Sequence, residues 1–241
     1  VILVLGSRLG FNTTFYSYDN LNKDASIIQC EIDQNSIGRY FPVEVGIHAD
    51  AKTLADQLCN LLEKHKAKQE VEAWADQFKS NKKNYLDQRD ADADMDSVPI
   101  LPSGLFKGLR NSLPDDSVVT LDAGTMCLQL TDALHYHQPK SLFSPLDFGL
   151  VGFSYPAGLG IKLAAPQRPV VSFHGDGGMS MVLPELSTAV ENNINTVCVV
   201  MNNGTWGAEA AYQKDFFEGR FIGAHITTPE FDKAAELYGC K

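Results

Sequence analysis

Two short stretches of this 241-residue chain combine residue types and spacing that could do chemistry: Gly175-Asp176-Gly177-Gly178 and Asn202-Asn203-Gly204-Thr205. Gly177 and Asn202 are separated by 24 residues, room for one helix and one strand. A connection of that length returns both stretches to the same edge of a parallel sheet. Asp176 and Asn203 then offer a carboxylate and a carboxamide, two hard oxygen ligands suited to Mg²⁺. Adjacent glycine N–H groups can cradle phosphate, and a Mg²⁺ with so few protein ligands completes its octahedron with phosphate oxygens. The pair therefore reads as a magnesium–diphosphate site. Taken singly, each stretch is equally a glycine turn; the pairing at this distance, after two buried-type strands, specifies the metal and the phosphate.

The surrounding sequence supplies the elements that would position these residues. Pro169–His174 is an apolar strand that delivers Gly175-Asp176, Met181–Asn192 reads as the crossover helix, and Ile194–Met201 is the next strand. Upstream, Leu101–Leu113 reads as a helix and Ser117–Asp122 as a strand followed by Ala123-Gly124-Thr125. Phe148–Gly152 is a loop feeding a small-residue helix, Tyr155–Ala165. Strands alternating with helices predict an α/β fold of doubly wound parallel sheets, with the ligand at the strand carboxyl ends.

Residues 1–66 show the same grammar: strands at Val1–Leu5, Ser26–Asp33 and Val43–Ile47, then a helix from Asp50 to about Lys66 with Leu54, Leu58, Leu61 and Leu62 at helical spacing. The turn Gly6-Ser7-Arg8-Leu9-Gly10 lacks the Gly-x-Gly-x-x-Gly of a dinucleotide fold. Residues 67–97 are polar and read as a linker containing a helix. Val71, Trp74 and Phe78 suggest that this helix lies on a neighbour, and the acidic run Asp87–Asp96 suggests solvated chain. Asp90, Asp92 and Asp94 imitate the start of a calcium loop, but Met95 and Leu101 stand where glycine and glutamate are required. The expected organisation is a Rossmann-like part at 1–66, the linker at 67–97 and a diphosphate-binding domain at 98–241. The strand at Val1 and the end at Lys241 suggest cuts through a longer protein.

Composition excludes some classes. Net charge is −10 and pI near 5.0, with no Lys/Arg run, so nucleic acid is not an expected partner. No apolar run reaches membrane-spanning length. Five widely spaced cysteines without Cys-x-x-Cys suggest free thiols in a reducing compartment, hence a cytoplasmic location.

Gly-Asp-Gly followed at this distance by Asn-Asn resembles the cofactor signature of the thiamine diphosphate-dependent acetolactate synthase superfamily. The resemblance implies thiamine diphosphate and Mg²⁺ as cofactors. It implies Mg²⁺ bound by the side chains of Asp176 and Asn203 and the backbone carbonyl of Thr205. It further implies that Gly175, Gly177 and Gly178 hold the diphosphate with Gly124 and Thr125 flanking it, and that the loop Gly149–Gly152 grips the aminopyrimidine, with Val151 in the propping position. Val151 is smaller than the methionine or leucine often found there. The family's activating glutamate comes from a domain that would precede Val1, so no residue of this chain is assigned a catalytic role, Glu185 and Glu209 included.

Within the superfamily, Trp206-Gly207-Ala208-Glu209, Gln213, Asp215-Phe216-Phe217 and Arg220-Phe221 resemble the sulfoacetaldehyde acetyltransferases. So do Leu5–Gly10, Lys23-Asp24-Ala25 and Ile27-Ile28-Gln29. This implies conversion of the small anions sulfoacetaldehyde and phosphate to acetyl phosphate and sulfite by a homodimer or homotetramer. Arg220 and Lys214 are candidate cations, and His174, His135 and His137 candidate proton carriers. Structural roles stand beside these: Trp206 packing under the cofactor loop, Arg220 pairing with a surface acid, His174 a satisfied core histidine. An acetolactate synthase-like carboligase or 2-oxo acid decarboxylase is the alternative function. The isolated chain is expected to be an inactive cofactor-binding fragment.

Overall fold

The structure, a computed structural model, describes residues 1–19, 21–65 and 71–241. The expected helix end at Lys66 and the first linker residues, 67–70, lie outside these. The chain divides into two compact units, Val1–Lys83 and Asn84–Lys241.

The first unit contains β1 (Ile2–Leu5), α1 (Phe11–Thr14), β2 (Ile27–Glu31), β3 (Val45–His48), α2 (Ala51–His65) and the start of α3 (Glu72–Ala91). Its sheet is parallel with order β1-β2-β3, Ile2 opposite Ile27 and Ile28 opposite Val45. Gln29 is buried and spends its amide on local backbone. Its nitrogen donates to the Ser7 and Ser36 carbonyls at 3.0 and 3.3 Å, and its oxygen accepts the Gly38 amide at 2.8 Å.

The second unit contains the end of α3, then α4 (Pro102–Ser112), β4 (Val118–Leu121), α5 (Thr125–Ala133), β5 (Leu142–Phe143), α6 (Ser154–Ala164), β6 (Val170–Gly175), α7 (Asp176–Val182), α8 (Glu185–Glu191), β7 (Val197–Met201), α9 (Gly207–Phe216) and α10 (Phe231–Tyr238). Its sheet is parallel throughout, in the order β5-β4-β6-β7. Alternate residues of β7 enter different cores, because successive side chains leave a strand on opposite faces. Val199 and Met201 join Phe106, Leu121, Leu130 and Phe173. Cys198 and Val200 join Tyr155, Leu159, Met179 and Leu186. Helices thus cover both faces, which is why β4 and β6 up to His174 are buried at every residue rather than at alternate ones. The fold is the doubly wound α/β arrangement that the sequence predicts. α6 lies close to the sheet at Gly158, where a Cβ would collide with Ser172 Oγ and lie 3.4 Å from Thr120 Oγ1.

Three local readings need correction. The crossover is two helices, and the first starts at Asp176 rather than Met181: Gly175 is extended (φ −75°, ψ 162°) and the helix follows at once. The break falls at Leu183-Pro184, where proline cannot donate the next helical hydrogen bond. Part of the acidic run expected as solvated chain is helical, since α3 continues to Ala91. Asp90 there accepts from Arg110 at 2.7 Å and from Arg89 at 3.0 Å. Both guanidiniums hold the Asp90 carboxyl below the usual range, Arg89 most, against the opposing effect of burial. Finally, Val71, Trp74 and Phe78 are exposed instead of lying on a neighbour; Trp74 and Phe78 stack on each other with ring centroids 5.9 Å apart. Among the described residues no helix is long and apolar enough to cross a membrane.

Candidate functional site

The carboxyl ends of β4, β6 and β7 open into one cavity of about 430 Å³ in the second unit. β4 leads to Gly124 and Thr125, β6 ends in Gly175 and hands over to Asp176, Gly177 and Gly178, and β7 leads to Asn203 and Thr205. All of these line the cavity, together with Gly149 and Val151 from the loop before α6. The structure thus brings together every residue singled out for cofactor or metal binding.

Asp176 is buried, and its Oδ2 accepts the Gly204 amide at 2.7 Å. Its Oδ1 accepts the Gly177 amide at 3.1 Å. One carboxylate therefore ties the two halves of the paired motif. Asn203 Oδ1 accepts the Thr205 amide at 3.1 Å, a local turn that fixes the second half. Gly204 takes the left-handed conformation (φ +65°) that this turn requires.

Trp206 follows directly and packs on the glycines. A Cβ at Gly177 would lie 2.6 Å from Trp206 Cζ3, so the ring occupies the space that any other side chain would need. This is the packing role weighed for Trp206 in the sequence. Across the cavity, Gly124 adopts φ +132°, with nothing within 4 Å of its missing Cβ.

The sequence reading missed Asp122, the residue after β4. It is fully buried and accepts the amides of Gly152 at 3.0 Å, Phe153 at 2.7 Å and Ser154 at 3.3 Å. Burial alone would raise its pKa, but the His174 ring and the Gly152 and Phe153 amides outweigh it and hold the carboxyl below its ordinary range. The available signal was an acid directly before Ala123-Gly124 at the end of a buried strand.

The other candidates fall elsewhere. His174 is fully buried and does not line the cavity; its Nε2 accepts the Tyr155 amide at 2.7 Å, while its Nδ1 has no hydrogen-bond partner among the described residues, so it is a core histidine only partly satisfied. His135 and His137 meet edge to face at 6.1 Å and are not on the cavity wall. Arg220 donates through Nε to the Phe217 carbonyl at 3.1 Å, and neither it nor Lys214 lines the cavity. Glu185 accepts from Thr188 Oγ1 at 3.0 Å at the start of α8. Glu209 does reach the cavity wall.

These residues fit a metal–diphosphate group. Among the described residues the cavity wall carries no Lys, Arg or His, and its charged side chains are Asp176 and Glu209. A polyanion entering such a wall needs a divalent cation between itself and the carboxylate. No three His, Cys, Asp or Glu side chains converge as a metal cluster among the described residues. The oxygens of Asp176 and Asn203 would hold Mg²⁺ only with the ligand's own oxygens. Open space lies at Gly175 and Gly124, where nothing stands within 4 Å of the missing Cβ, beside the first-turn amides of α7, which have no helical carbonyl partner.

Comparisons with known proteins identify the family. Residues 122–241 match the family described as thiamine pyrophosphate enzyme, C-terminal TPP binding domain, and residues 1–58 match thiamine pyrophosphate enzyme, central domain. The sulfoacetaldehyde acetyltransferase of Alcaligenes xylosoxydans xylosoxydans is 29% identical over 264 residues, covering 100% of this chain and 44% of the relative. The acetolactate synthase large subunit of Buchnera aphidicola (subsp. Acyrthosiphon pisum, strain APS) is 32% identical, over 99% of this chain and 41% of the relative. Among solved structures, the thiamine diphosphate-dependent 4-hydroxybenzoylformate decarboxylase of Rhodococcus jostii RHA1 superposes with TM-score 0.73 at 23% identity, covering 99% of this chain and 42% of that one. The chain spans less than half the length of these relatives.

Proposed function

We propose that this chain, which belongs to the acetolactate synthase superfamily of thiamine diphosphate-dependent enzymes, forms the metal–diphosphate half of an acyltransferase site. In this reading the whole protein converts sulfoacetaldehyde and phosphate to acetyl phosphate and sulfite. The observation that carries the cofactor assignment is the single cavity at the ends of β4, β6 and β7. There a buried carboxylate, a carboxamide and a pair of glycines meet on a wall without cationic side chains.

When bound, thiamine diphosphate supplies a carbanion equivalent that adds to a carbonyl and an electron sink for the pair left behind. The protein's part is to hold and orient. Asp176 and Asn203 ligate Mg²⁺ with the Thr205 carbonyl; Gly177 and Gly178 offer amides to the diphosphate; Gly124 and Thr125 flank it, and Gly149 and Val151 form the facing wall. The acetyltransferase branch is supported by the Trp206-Gly207-Ala208-Glu209 block and by relatives of that name matched along the whole of this chain. Self-association into a homodimer or homotetramer, and work in the cytoplasm, belong to the same reading.

One observation favours a second reading, an acetolactate synthase-like carboligase or 2-oxo acid decarboxylase. A sulfonate substrate and a phosphate acceptor bring two anions where a 2-oxo acid brings one, and Arg220 and Lys214 are away from the cavity wall. The two readings separate in one assay of the whole protein with thiamine diphosphate, Mg²⁺ and phosphate. Phosphate-dependent sulfite release from sulfoacetaldehyde supports the acetyltransferase. Pyruvate consumption without sulfite release moves the enzyme to the second branch. The 241 residues by themselves are expected to bind the cofactor without turnover, and turnover by that chain alone would contradict this.

A further inference from the structure

Asp122 touches both walls of the cavity without lining it. On one side its two oxygens collect the amides of Gly152, Phe153 and Ser154, which end the loop carrying Gly149 and Val151 and begin α6. On the other side Oδ2 fills the space that a side chain at Gly178 would occupy, in the first turn of α7. Oδ2 also stands 3.2 Å from His174 Nδ1. Since His174 Nε2 accepts the Tyr155 amide, the ring proton is on Nδ1 and faces the carboxylate, though off the line of a hydrogen bond. A fully buried carboxylate is costly unless such donors surround it. Here they are three consecutive amides where the loop meets α6, with the His174 ring of β6 standing beside them.

We propose that Asp122 is a positioning residue for the cofactor site: it fixes the Gly149–Gly152 loop against the Gly177–Gly178 turn and so sets the separation of the two walls. This rests on the thiamine diphosphate reading given above. A ligand that spans both walls depends on that separation. A ligand held only by Asp176, Asn203 and the glycine turn does not. A carboxylate that merely stabilised the domain would affect both ligands alike.

The test is Asp122→Asn in the intact protein. Asparagine presents one acceptor where several donors converge, and its own NH₂ points at donors. Hydrogen exchange in the free protein is expected to quicken at the amides of Gly152, Phe153 and Ser154 and to stay unchanged along β4 and β6. Affinity for thiamine diphosphate with Mg²⁺ should fall about tenfold or more, and affinity for inorganic pyrophosphate with Mg²⁺ less than about twofold. Equal losses for the two ligands, or unchanged exchange in the loop, overturn the positioning role while leaving the cofactor reading intact. A wild-type protein that binds neither ligand overturns the cofactor reading and this role with it. Should Asp122→Asn fail to fold, Asp122→Ser keeps a hydroxyl acceptor in a smaller side chain, with room for a water to reach the freed amides. It should show the same split between the two ligands, about tenfold or more against less than about twofold.

Discussion

Asp176 Oδ2 accepts the backbone amide of Gly204 at 2.7 Å, joining two residues that lie 28 positions apart. The same carboxylate is the strongest candidate for binding metal, so it serves both fold and site. Replacing it removes the bond that joins the two strand ends and, at the proposed metal site, the one carboxylate among the motif residues. Asp176→Ala should lower Mg²⁺-dependent thiamine diphosphate affinity by about a hundredfold or more, measured by calorimetry. Unchanged affinity would remove Asp176 from the metal site.

Gly177 is fixed by its neighbour rather than by its backbone angle. The Trp206 ring lies where the first atom of any side chain would go. Gly177→Ala should therefore displace Trp206, shift its fluorescence and destabilise the protein by about 1–3 kcal/mol, as overpacking does. A variant with the parent's emission and denaturation midpoint would show that the ring moves aside freely.

The cysteines should react in order of exposure. Burial pushes the Cys198 thiol up to about 12 and, despite a hydrogen bond with Ser144, the Cys127 thiol to about 11. Cys59 is exposed. Since the thiolate is the reactive form, native protein treated with iodoacetamide at about pH 8 should be alkylated at Cys59 well before Cys127 or Cys198. Mass spectrometry reads the order directly; early labelling of Cys198 would mean that β7 opens in solution.

Acid should act partly through Asp122. Burial would raise its carboxyl, but the His174 ring and the Gly152 and Phe153 amides hold it below the usual carboxylate range in the folded protein. Its contribution is thus present above the unfolded pKa and is lost as pH falls through the folded one. Wild-type stability in urea should drop between about pH 5 and about pH 2, and the drop should be smaller in Asp122→Asn. Equal drops would assign the acid sensitivity to other carboxylates, such as Asp33, Asp50 and Asp90.

What could be read from the sequence follows from how local each signal is. Gly175–Gly178 and Asn202–Thr205 were legible because glycine, aspartate and asparagine at strand ends are chosen for backbone and ligand reasons within a few residues. The start of α7 was misplaced because glycines disfavour helix, so Gly177-Gly178 reads as a turn; packing against Trp206 and Asp122 overrides that preference. Asp122 left only its position, an acid at the end of a buried strand, since its amide partners lie about 30 residues onward and backbone N–H groups leave no mark on sequence. Arg220 and Lys214 are visible in the sequence as charges, but that neither lines the cavity is not, because charge is local and direction is not.

The most direct test of the central claim is a titration of the intact protein with thiamine diphosphate, with and without Mg²⁺, followed through the fluorescence of Trp206 against Gly177. The account predicts a saturable change that requires Mg²⁺ and disappears in Asp176→Ala. Binding of equal strength without the metal, or no binding at all, would contradict it.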